Sequence, residues 1–128
     1  MLFFKSENLI WTQHSLAKLK QYRLSASRVL RVLRHPKRRE VGVAENTVAC
    51  VQAAGTGKHP YEIWVMWCLA SARDKARGSD KKIKKIKFDL NRKTIIISAW
   101  RYPGISPVHE PPPIPDDVWE VLRKMKKS

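Results

Sequence analysis

The chain has 128 residues, 43% hydrophobic and 29% charged. That balance fits one globular domain with a single core and excludes a disordered or fibrous protein. Lys and Arg number 26 against 11 acids, a formal charge of +15, which predicts a polyanionic partner, nucleic acid before a membrane surface.

No apolar run reaches transmembrane length, and the opening MLFFK is too short for a signal peptide, so a cytoplasmic protein with no membrane association is expected. Thr12 reads as the N-cap of a first helix running to about Tyr22, with Trp11 packing on Leu16 as a staple. Leu16, Ala17 and Leu19 supply its modest apolar face. Ser25 caps a second helix with the stripe Val29, Leu30, Val32 and Leu33, ended by Pro36. Arg28, Arg31 and Arg34 lie on its opposite side.

Beyond Pro36 the pattern turns to strands. REVGVAEN and TVACVQAA are short runs with a turn near Glu45 and Asn46, and GTGKHP is a loop. YEIWVMWCLA is apolar on both alternating faces: Ile63, Val65, Trp67 and Leu69 on one, Trp64, Met66 and Cys68 on the other. Such a strand is central and covered on both sides. SARDKARGSD is a charged loop, after which KKIKKIKFD and KTIIISAWR form a hairpin around DLNRK. YPGISPVHEPPPIP is an extended strap. The final helix in PDDVWEVLRKMKKS has acids in its first turn and cations in its last, with the stripe Val118, Val121, Leu122 and Met125. The expected fold is α+β: two N-terminal helices, a four- to five-stranded antiparallel sheet and a C-terminal helix.

Cys50 and Cys68 sit in apolar strand-like runs without metal-ligand spacing, suiting buried thiols in a reducing compartment or one disulfide. His14, His35, His59 and His109 have no ligand spacing either, so no metal and no cofactor is expected. AAGTGKHP is similar to a phosphate loop, but it lacks the full spacing and a following helix and reads as a turn.

The segment TQHSLAKLKQYRLSASRVLRVLRHP resembles the entry of small domains related to the RelE and BrnT toxins: a His, a basic helix, a turn of Arg, then a small residue, Ile or Leu, then Ser, a second helix with a Val-Leu pair, then Pro. IISAWRYPG is similar to their last strand. The resemblance covers roughly residues 9 to 102. It implies a RelE/BrnT-like domain over 1–102, with 103–128 outside the family core; the apolar stripe of the last helix predicts that this strap and helix dock on the domain or, alternatively, on a partner. The resemblance also implies a metal-independent endoribonuclease of toxin type, with RNA as substrate and a small antitoxin as partner. Family members often carry Arg where this chain has Lys18. The alternative reading is a non-catalytic RNA-binding or ribosome-associated module of the same fold.

Metal-free RNA cleavage needs a base for the ribose 2′-OH, an acid for the departing 5′ oxygen and cations for the phosphorane. His14 at the second helical position is the candidate base, because the helix dipole and neighbouring cations favour neutral imidazole. Lys18, four residues on, shares its face and suits a phosphate; Gln21 follows at seven. Arg101 is the candidate for the phosphorane, and Tyr102 for stacking on a base. Arg28, Arg31, Arg34, Arg38 and Arg39 belong to a stretch from His14 to Arg39 with nine cations and no acid, suited to a phosphate backbone. Lys85 and Lys87 form a second cluster, which would equally protect a strand edge. Each set also suits an ordinary solvated surface.

Overall fold

A computed structural model describes residues 8–41, 47–70, 88–89, 92–107 and 112–126, the side chains of Val41, Val121 and residues 124–126 excepted. The elements in chain order are β1 (Leu9–Trp11), α1 (Gln13–Tyr22), α2 (Ala26–Arg34), β2 (Arg38–Val41), β3 (Val48–Gly55), β4 (Pro60–Leu69), β5 (Thr94–Pro103) and α3 (Asp116–Lys126). The protein is an α+β fold. The sheet has the order β1-β5-β4-β3-β2 and is antiparallel except for β1, which runs parallel to β5. The predicted strand in KKIKKIK, with Lys85 and Lys87, lies outside the described residues. Among the described residues no helix is long and apolar enough to cross a membrane.

β4 is the central strand, and its alternation divides the core in two. Ile63, Val65, Trp67 and Leu69 pack on one face with Val29, Val32 and Leu33 of α2. Trp64, Met66 and Cys68 pack on the other with Val118 and Leu122 of α3. The helices thus flank the sheet on opposite faces. Each buries an apolar stripe that would gain nothing in water. Cys50 belongs to the first cluster and Cys68 to the second. Cys50 and Cys68 are not joined by a disulfide, since the sheet itself stands between them.

The alternation of β5 breaks once. Met66 pairs with Ser98 but Trp67 pairs with Ile96, which leaves Ile97 as an inserted residue. Ile97 and Trp100, three apart, therefore share a face, as do Ile96 and Ala99. A bulge of this kind re-aims the side chains beyond it.

α1 runs beside β5 from the point where β1 ends. The Thr12 hydroxyl lies 3.2 Å and 3.3 Å from the carbonyl oxygens of Ile96 and Ile97 and accepts the N–H of Ser15 at 3.0 Å. At the other end of the helix, Arg101 Nε donates to the Tyr22 carbonyl at 2.8 Å and Nη2 to that of Arg23 at 3.3 Å. Tyr22 touches both core clusters, as a residue at the rim of a sheet does. Arg23 ends the helix in the left-handed region, with φ 55°, and the Leu24 N–H closes back on the Leu19 carbonyl at 2.8 Å.

The strap begins with a clasp. Ser106 Oγ donates to Glu62 Oε1 at 2.6 Å, and its backbone N–H donates to the same oxygen at 3.1 Å. Arg38 Nη2 donates to Ser106 Oγ at 2.7 Å, and the guanidinium covers the Trp64 ring. Trp64 Nε1 also donates to Glu62 Oε1. Glu62 is fully buried, and these donors replace the water that Oε1 gave up, while Oε2 has no hydrogen-bond partner among the described residues.

Candidate functional site

The buried side of α1 is not the apolar one that its leucines predict. Leu16 is 51% exposed and Ala17 is exposed. Ser15 and Lys18 are the buried residues, with Leu19 and Tyr22 half-buried beside them. The helix is rotated so that its Ser15–Lys18 side meets β5 and α3, and the position of β5 and α3 decides that rotation.

Lys18 is only 2% exposed. A buried ammonium requires partners, and three are present. Nζ donates to Gln21 Oε1 at 2.9 Å, lies 5.4 Å from the centre of the Tyr22 ring, and forms an ion pair with the carboxylate of Asp117, in the first turn of α3. Burial holds its pKa below the ordinary lysine value. The expected phosphate contact is therefore already engaged with an anion of the same chain.

His14 lies one turn before Lys18. Its Nε2 is 3.0 Å from Oγ of Ser98, a fully buried residue just beyond the bulge. Burial, and then the charge of Lys18, lower the pKa of the imidazole. Both effects penalise the imidazolium. The ring therefore takes up a proton less readily than a free imidazole. The helix position argued for neutrality, but the stronger cause is burial against β5.

The other expected residues are not gathered at this site. Arg101 spends its guanidinium on the end of α1 and stands 5.0 Å from the centre of the Tyr61 ring. That explains its value to the fold without any phosphate. Arg38 is committed to Glu40, Ser106 and Trp64. Tyr102 packs half-buried against the α3-side cluster. Arg39 is half-buried on β2, and Arg28 is half-buried on α2. Arg31 and Arg34 are exposed on α2, on the sheet face opposite α3.

Sequence reasoning missed Ser98 and Asp117. A lone serine in an isoleucine-rich strand was the only local sign of the first. The second sat among acids that the helix dipole already explained. No group of three or more His, Cys, Asp or Glu among the described residues is placed to hold a metal ion. Comparison with models of protein families, with curated proteins and with solved structures finds no match for this chain.

Proposed function

We propose that the chain is a metal-independent endoribonuclease of toxin type, working by acid–base chemistry at His14 and Lys18. One observation carries this reading: the His14 imidazole, its Nε2 3.0 Å from Ser98 Oγ, stands one helical turn from the buried ammonium of Lys18. The resemblance of the entry segment to RelE- and BrnT-related domains supports it, as does the +15 charge. With the proton of the neutral ring on Nε2 and donated to Ser98 Oγ, the unprotonated Nδ1 takes the 2′-OH proton. The 2′ oxygen attacks phosphorus and the bond to the 5′ oxygen breaks. Lys18 stabilises the charge on the phosphorane and returns a proton to the departing oxygen. The products are a 2′,3′-cyclic phosphate and a 5′-hydroxyl. RNA is the substrate, and a small acidic antitoxin is the partner such an enzyme would need.

The test is incubation of purified protein with RNA in excess chelator, followed by end-group analysis. Cyclic phosphate ends are expected from the wild type and none from His14→Ala or Lys18→Met. Undiminished cleavage by both variants would put the chemistry elsewhere.

A second reading is favoured by the Lys18–Asp117 pair. In it the site is silent, and the chain is a non-catalytic RNA-binding or ribosome-associated module that uses Arg31 and Arg34. Its mark is oligonucleotide binding that survives His14→Ala and fails in Arg31→Glu with Arg34→Glu, without cleavage by any form.

A further inference from the structure

We propose that the first turn of α3 is an intramolecular acidic plug, its Asp117 carboxylate seated on Lys18 where a substrate phosphate belongs. This rests on the reading of His14 and Lys18 as an RNA site and adds its regulation.

Four observations lead to it. Lys18 is 2% exposed, whereas the Asp117 side chain is 51% exposed. The carboxylate therefore approaches from the solvent side and closes the ammonium off from water. The remaining contacts of Lys18, the Gln21 side-chain oxygen Oε1 and the Tyr22 ring, suit a cation but leave its charge uncompensated, so an anion is required at this position. Asp117 comes from the tail, beyond the strap, and not from the elements that build the site. Finally, two anchors hold the two ends of that tail separately. Ser106 is clasped by Glu62 and Arg38, while α3 rests on the sheet through Val118 and Leu122. Displacing the first turn of α3 leaves the clasp intact.

A carboxylate and a phosphate oxygen make the same charge-assisted hydrogen bond to an ammonium. RNA must therefore compete with Asp117 for Lys18, and access to His14 follows displacement of that turn. Any partner that lifts α3 from the sheet would act as an activator of the same site.

The experiment follows the His14 ring and the backbone amides of Asp116 to Trp119 by NMR in the full chain. A 2′-deoxy oligonucleotide, which cannot be cleaved, is added to wild type and to Asp117→Asn. The expected result is a shift of the His14 resonances in both proteins, with binding about five-fold tighter in Asp117→Asn, and movement of the Asp116–Trp119 amides in the wild type. Equal affinity in the two proteins would overturn the plug. So would binding at His14 that leaves the wild-type α3 amides unmoved. In either case the RNA site itself would stand. Silence of His14 in both proteins would remove the RNA site and the plug together.

Discussion

His14 and Ser98, separated by 84 positions in sequence, meet at 3.0 Å between Nε2 and Oγ. The bulge at Ile97 makes the meeting possible, since it shifts the facing of every residue that follows in β5. The hydroxyl holds the imidazole at one nitrogen; in the proposed mechanism the other is the base. Ser98→Ala should therefore cost about 1 kcal/mol of stability. If the chain cleaves RNA as proposed, it should also lower cleavage by roughly ten-fold through lost positioning of the base, with little change in binding. Urea unfolding and single-turnover cleavage measure the two effects. A variant as active as the wild type would show that His14 needs no such support.

The lowered pKa of His14 has a consequence for stability. The folded state resists protonation that the unfolded chain accepts near 6.5. Between the lowered folded value and 6.5 the unfolded state binds more protons, so stability rises with pH across that window. The contribution is full above about 6.5 and is lost as pH falls towards the folded value. Melting curves from pH 7.5 to 5 should show this loss in the wild type and a smaller one in His14→Gln. Parallel curves would mean that the imidazole is not desolvated.

Arg101→Ala should be a stability mutation first. It removes two hydrogen bonds from a charged donor to the closing carbonyls of α1 and leaves the contact with Tyr61 unmade. A loss of about 1–3 kcal/mol is expected, read as a lower urea midpoint. Any fall in cleavage should match the unfolded fraction. A fully stable but inactive variant would return Arg101 to the phosphorane.

Truncation after Tyr102 should lower both melting temperature and solubility. Val118 and Leu122 share one buried cluster with Trp64, Trp100 and Ile97. Each buried side chain is worth about 1.5–3 kcal/mol before ordering costs, and the tryptophan face left behind would be sticky. The same truncation removes Ser106, and with it the principal donors to the buried carboxylate of Glu62. An unchanged melting temperature would mean that the contact of α3 with the sheet contributes nothing.

Neither thiol should react in the folded protein. Burial pushes the Cys50 thiol up to about 11, with the Trp67 N–H and Arg39 pulling the other way. Cys68 is 3% exposed on the opposite face. Ellman's reagent at pH 8 should titrate both only after denaturation. Rapid labelling of the native protein would contradict this packing.

What the sequence determined by itself was local. The two faces of β4 follow from alternation, because neighbouring residues on any strand point to opposite sides. The stripe of α2 follows from its 3.6-residue period, and the caps at Thr12 and Ser25 from hydroxyls that reach N–H groups three residues on. These features need no knowledge of where the other elements lie. The parallel strand β1 did not announce itself, since three residues carry no pattern. Tertiary structure alone decided which side of α1 would be buried. Leu16 was the apolar choice, yet Lys18 is the residue enclosed, because Asp117 from the far end of the chain supplies the charge that makes its burial tolerable. It likewise committed Arg38 and Arg101 to the fold, through carbonyl and hydroxyl oxygens that only the closed sheet and strap bring within reach. A cation in sequence is equally suited to a phosphate or a carbonyl oxygen, and the distances that choose between them exist only after folding.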